Sequence, residues 1–235
     1  MEVSGSRISR EDFAAYITQV SDVIAAMTKD GYPHPTAFEI ETAVAFLFFK
    51  KENCDLVLLE VGMGGNLDAT NIIKNTLLAV LVSISMDHMS FLGNTLAQIA
   101  EKKAGIIKDG CRVVTARQKP EAMQVIERIS REHGTKCTIA DASEAEVLKE
   151  SCLGQTIRYR GEEYEIPLAG VYQKENAVVA LNALKVLDEL GFPTAAEQEK
   201  RKGLRTVNWN GRFTVICKKT AVCGRRGLII LLLRI

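Results

Sequence analysis

The stretch Leu56–Ile72, LVLLEVGMGGNLDATNI, decides the fold. An apolar run from Leu56 reaches Glu60. It then passes a glycine cluster (Gly62, Gly64, Gly65) and ends in Asp68-Ala69-Thr70-Asn71. A short continuous apolar run that stops at glycines predicts a buried parallel strand ending in a turn. Open α/β sheets bind ligands in the crevice beyond the carboxyl ends of their strands. Glu60 and the loop after it are therefore the first candidates for a site. A buried strand with a ligand-free glycine turn explains the same residues equally well.

Working outward, Leu77–Ser85 (LLAVLVSIS) is a second fully apolar run, ending in Met86-Asp87-His88. Arg112–Ala116 is a shorter strand. Between these lie helical patterns. Ser9–Thr28 has Ser9 and Asp12 at capping-box spacing, Thr36–Lys51 has Thr36 and Glu39, and Thr95–Ile107 has Thr95 and Gln98. Pro120–His133 is closed by Gly134, and Asn176–Leu190 is ended by Gly191 and Pro193. Strand–helix alternation from 36 to 134 predicts an α/β fold with a mostly parallel sheet flanked by helices. Lys136–Ala140 and Thr156–Pro167 alternate apolar with polar residues, and Gly161-Glu162 supplies a turn. They predict a small antiparallel edge or lobe.

The 235 residues are 47% hydrophobic, enough for a core, and the formal net charge of +1 gives no electrostatic case for nucleic acid. Six cysteines are scattered without a CxxC pair, which fits reduced thiols and a cytoplasmic location. The start, MEVSGSRISRED, has no apolar signal-peptide core, and Leu228–Leu233 is far short of the ~20 residues a membrane helix needs. Residues 217–235, CKKTAVCGRRGLIILLLRI, lack caps and period and read as a tail belonging to no domain. Its aliphatic run carries an aggregation signature, so removing residues 218–235 is expected to improve solubility.

Glu60 ends one predicted strand and His88 follows another. If the strands are parallel neighbours, carboxylate and imidazole face one crevice and suit a divalent metal. A hydrogen-bonded loop histidine is the simpler role for His88. Lys103 shares the helical face of Leu96, Ile99, Ala100 and Ile107, whereas Lys102 falls toward solvent. A buried ammonium is paired, snorkels or loses its charge, and a neutral amine can take up carbon dioxide as a carbamate. GMGG lacks the full GxGxxG spacing of a dinucleotide fold, and no GxxxxGK[ST] phosphate loop occurs in these residues.

Five blocks in order carry a resemblance: TAFEIETAVAF, LVLLEVGMGGNLDATNII, SISMDHMSFLGNTLAQIAEKKAGIIK, GVYQKENAVVALNAL and NWNGRF. Together they resemble the folylpolyglutamate synthase/dihydrofolate synthase family of the Mur-ligase superfamily, over roughly residues 1–216. The resemblance implies a partial Mur-ligase-type ATP-binding domain there, cofactors ATP and Mg²⁺, and small-molecule substrates: folate or dihydropteroate, and L-glutamate. It implies an acyl-phosphate route, a monomer in the intact family, and no nucleic-acid or membrane partner. By motif position, Glu60 and His88 look like magnesium ligands, with His88 also catalytic. Lys103 looks like the family's carbamylated catalytic lysine. Asp68 and Thr70 look like substrate-loop residues, Asn71, Gln173 and Asn176 like nucleotide-side residues, and Arg212 like a phosphate contact. The family's WPGR reads Trp209-Asn210-Gly211-Arg212 here, and its phosphate-loop and DGAHNP-type motifs do not occur in this sequence. The chain alone is therefore expected to ligate nothing. Other readings are a Mur-type ligase acting on a peptidoglycan precursor, a dinucleotide-binding module, and a non-catalytic half of a split enzyme.

Overall fold

The computed structural model describes residues 1–87, 89–192, 196–209 and 229–233. The chain opens with a short hairpin, β1 (Glu2–Val3) and β2 (Ser6–Arg7). Ser4 and Gly5 in its turn both have positive φ, the geometry that matches strand twist. Helices α1 (Arg10–Lys29) and α2 (Ala37–Lys51) follow, each starting at its capping residue. Ser9 Oγ accepts the Asp12 amide, and Thr36 and Glu39 form a complete reciprocal box. Next come β3 (Val57–Glu60), β4 (Thr76–Leu81), α3 (Met89–Leu92), α4 (Leu96–Ala104), β5 (Arg112–Ala116), α5 (Pro120–Glu132) and β6 (Cys137–Ala140). The remaining elements are β7 (Glu146–Ser151), β8 (Gly154–Tyr159), β9 (Glu162–Ile166), α6 (Gln173–Glu189), α7 (Glu197–Thr206) and β10 (Ile229–Leu233).

The main sheet has the strand order β3-β10-β4-β5-β6. Strands β4, β5 and β6 are parallel; β10 is antiparallel to both β3 and β4, so β3 runs with β4. β4 is buried on both faces, as its continuous apolar run demands. Ala79 and Leu81 face one core with Phe48, Ile99, Ile126 and Leu59. Leu78 and Val80 face the other, with α6 and the inner residues of β8 and β9. A fully buried Leu or Ile contributes about 1.5–3 kcal/mol by leaving water. The pair of cores around β4 therefore fixes which helices lie on which side.

Several expectations change. The stretch that defined β3 is buried only on the Val57 and Leu59 face; Leu58 is 61% exposed. β3 and β4 are parallel but are not neighbours, because β10 lies between them. The tail thus contributes an element to the sheet. The facing edges of β3 and β4 would otherwise carry two unpaired ladders of N–H and C=O groups, and an uncharged run can pair with both. Of the two stretches read as an antiparallel edge or lobe, Thr156–Pro167 does form a separate antiparallel sheet, β7-β8-β9, whereas Cys137–Ala140 is β6, a parallel strand of the main sheet beside β5. β7 is exposed along its whole length and has no apolar alternation to betray it. α7 buries no residue, so it carries no apolar stripe either. α4 stops at Ala104, capped at Gly105, short of Ile107.

Candidate active site

The glycine loop docks on the end of α4. A Cβ on Gly65 would lie 2.4 Å from the Lys102 carbonyl oxygen and 2.8 Å from that of Lys103. A Cβ on Gly105 would lie 2.4 Å from Asn66 Cβ. At both positions a side chain would collide with neighbouring backbone, the Lys102 and Lys103 carbonyls for Gly65 and the Asn66 Cα and N for Gly105. The contact satisfies carbonyls that a helix C-terminus leaves unpaired. Asn66 N–H donates to the Lys102 carbonyl at 3.1 Å, and Asn71 Nδ2 donates to the Gly105 carbonyl at 3.1 Å and the Asn66 carbonyl at 3.3 Å.

Asp68 and Thr70 hold the rest of the loop. Asp68 Oδ1 accepts from the Thr70 amide (3.0 Å) and hydroxyl (2.6 Å), while Oδ2 accepts from the Met63 amide (2.8 Å). Thr70 is buried. Against α2 the loop encloses a cleft of about 410 Å³, bordered by Glu39, Thr42, Phe46, Leu67, Asp68 and Asn71. The buried Asn71 Oδ1 has no protein partner. The sequence-predicted substrate loop is therefore a rigid wall beside a cleft, built from its own hydrogen bonds.

Lys103 is partly buried, in line with its helical face, but so is Lys102, which does not project freely into solvent. Burial pushes the Lys103 ammonium below its usual value, and the Asp87 carboxylate opposes that shift. Lys103 and Asp87 therefore share one electrostatic environment. Glu60 ends β3 exposed, on the face of Leu58, while α4 packs on the opposite face through Ile99 and Ala104. Glu60 and Lys103 can converge only beyond the strand end. In register, Glu60 and Val80 pair with the same residue, Ile230. They are therefore roughly 10 Å apart across two strand spacings.

Gln173 and Asn176 meet at the start of α6, where Asn176 Nδ2 donates to Gln173 Oε1 at 3.1 Å. They stand at one end of an apolar groove of about 510 Å³ that also takes in Leu58, Val80, Leu184 and Trp209. His88 and Arg212, named from the sequence as metal ligand and phosphate contact, lie outside the described residues. Among the described residues no three His, Cys, Asp or Glu side chains cluster as a ready-made metal cage. Magnesium is held by one or two carboxylates with waters and phosphates and does not need such a cage, so the exposed Glu60 fits that mode. Sequence reasoning missed Asn66 and Gly105. No residue type flags them, because their work is to join the loop to a helix end.

The family of the Mur ligase middle domain matches residues 11–184. The dihydrofolate synthase/folylpolyglutamate synthase of Bacillus subtilis is 36% identical over 225 residues, covering 92% of this chain and 52% of that protein. The chain thus spans about half the length of this relative. Among solved structures, the apo form of L. casei folylpolyglutamate synthase matches with a TM-score of 0.79 at 28% identity, covering 94% of this chain and 56% of that one. Mycobacterium tuberculosis folylpolyglutamate synthase, complexed with ADP and AMPPCP, matches with a TM-score of 0.74 at 33% identity, covering 88% and 49%. Among the described residues no helix is long and apolar enough to cross a membrane.

Proposed function

The chain belongs to the Mur ligase family through its middle domain, and from that premise we propose that it carries the central part of an ATP-dependent ligase joining L-glutamate to folate or dihydropteroate. In this reading a substrate carboxylate is activated as an acyl phosphate, and the amine of glutamate displaces phosphate. Magnesium, when bound, neutralises charge on the phosphates. Glu60 and His88 would hold it from this chain. Lys103, kept from easy protonation by burial, is suited to carry a carbamate that orients the site. Asp68 and Thr70 shape the wall against which the pteridine-bearing substrate lies. Gln173, Asn176 and Asn71 serve the nucleotide side, with Arg212 as phosphate contact. The site works as a monomer in the cytoplasm.

One observation carries this reading: the glycine loop, the substrate cleft and the Lys103 helix are locked together as one rigid unit by the Gly65–Gly105 dock. Phosphoryl transfer depends almost wholly on such positioning. No GxxxxGK[ST] phosphate loop occurs in the sequence, and in this reading the 235-residue chain alone is expected to ligate nothing. The test is a chimera in which residues 1–216 replace the matching part of the Bacillus subtilis relative. It should form product from ATP, glutamate and folate or dihydropteroate, and Lys103→Ala in it should lower turnover by about a hundredfold or more. A folded chimera with no turnover, or a Lys103→Ala chimera as fast as its parent, would refute the reading.

A further inference from the structure

The segment that leads from β4 to Asp87 leaves the sheet, yet it is held from several sides. Val82 is buried in one core and Ile84 in the other. β5 ends at Ala116, level with the end of β4, so it offers no further backbone partner there. The side chain of Gln118 takes over that role. Its Oε1 accepts the Ile84 N–H at 2.9 Å, and its Nε2 donates to the Val82 carbonyl at 2.9 Å. A primary amide placed this way mimics one more peptide unit of β5. Nε2 also reaches the hydroxyl of the fully buried Thr115 at 3.1 Å, which fixes the amide's orientation. From the other side, burial in the first turn of α6 pushes the Glu175 carboxyl up, and the nearby Ser83 side chain opposes that shift.

We propose that Gln118 is a positioning residue that clamps Val82–Ile84, and so fixes where Asp87 stands relative to Lys103. The clamp's value to catalysis rests on the ligase reading above; the clamp itself does not. Three residues separate Ile84 from His88 in the sequence, so on the ligase reading play at Ile84 bears on the metal site. A ligand displaced by 1 Å loses much of its effect in a site that works by positioning.

The experiment uses the 235-residue chain, with amide hydrogen exchange read residue by residue and Mn²⁺ alone as the metal probe. In Gln118→Leu the Ile84 amide is left buried without an acceptor. Its protection should fall roughly tenfold or more, while Val113 in β5 keeps wild-type protection. Mn²⁺ broadening of the Asp87 signal should need several-fold more metal. Gln118→Glu has the same size and keeps the acceptor, but it loses the donor to Val82 until its carboxyl is protonated. Protection at Ile84 should return to the wild-type factor only at acid pH. Ile84 protection within twofold of wild type in Gln118→Leu overturns the proposal, as does equal Mn²⁺ sensitivity of Asp87 in the two proteins when the wild type responds to Mn²⁺. If Gln118→Leu does not fold, a pH-independent Ile84 protection in Gln118→Glu overturns it instead. A wild-type chain whose Asp87 and Glu60 signals ignore Mn²⁺ counts against the ligase reading, while the clamp is still decided at Ile84.

Discussion

Gly65→Ala is the sharpest test of what the glycine loop is for. The new methyl would sit 2.4 Å and 2.8 Å from the carbonyl oxygens of Lys102 and Lys103. Both are backbone atoms at the end of a packed helix, so neither can swing aside. Relief requires the loop to lift from α4 by about 1 Å. Overpacking of this kind costs ~1–3 kcal/mol. Lifting also weakens the Asn66 N–H bond to the Lys102 carbonyl, worth ~0.5–1.5 kcal/mol net. Together the loss is about 2–4 kcal/mol, which in a domain of this size lowers Tm by roughly 5–15 °C. Gly203→Ala in α7 is the control: a Cβ there meets nothing within 4 Å, and removing helical glycine gains ~0.5–1 kcal/mol. Thermal melts followed by circular dichroism, with urea titrations for free energies, measure both. If Gly65 were glycine for a ligand's sake, Gly65→Ala would melt within a degree of wild type. That result would refute the docking argument.

Lys103→Met should flatten part of the stability–pH curve. The folded ammonium is depressed below its usual value by burial. Between the folded value and the unfolded one, the unfolded chain binds more protons, so wild-type stability rises with pH across that window; the variant, which has nothing to titrate, should lack that rise in urea melts run from neutral to alkaline pH. Thr36→Ala removes the side-chain half of the box that starts α2 and should cost about 1 kcal/mol, seen as a Tm drop of a few degrees. Deleting residues 218–235 should make the chain less soluble, the reverse of what the tail's composition suggests. The cut removes β10 and leaves β3 and β4 with bare facing edges; light scattering during concentration decides between the two, and a more soluble truncation would show that the strand adds nothing.

The elements legible in the sequence were those with a period or a cap. α1, α2 and β5 lie where Ser9, Thr36 and the VVTA run put them. Lys103 was legible for the same reason, because a helix face can be counted along the chain. What escaped has no one-dimensional signature. β7 and α7 bury nothing, so no apolar rhythm marks them. The glycines of the loop read as room for a ligand, but Gly65 and Gly105 answer to each other's neighbours across some forty residues. Gln118 looks like an ordinary turn residue, and only the ends of β4 and β5 lying level give its amide two backbone groups to join. The gap between β3 and β4 could not be read from either strand, because a missing neighbour leaves no mark on a sequence.

The place of β10 has a kinetic consequence. Its partners, Glu60 on one side and Leu81 on the other, lie roughly 150 residues or more away along the chain, so it contributes contacts of the highest order in the molecule. Such contacts form late, after a long loop has been closed against chain entropy. Until then the two halves of the sheet stand apart, joined only through their helices. Refolding should accordingly show a slow final phase in which β4–β6 are already protected while Leu58 and Leu59 are not. During that interval any extended apolar segment, from this chain or another, competes for the same slot. The strand that completes the sheet is thus also the step at which refolding yield is decided, and yield should fall as protein concentration rises.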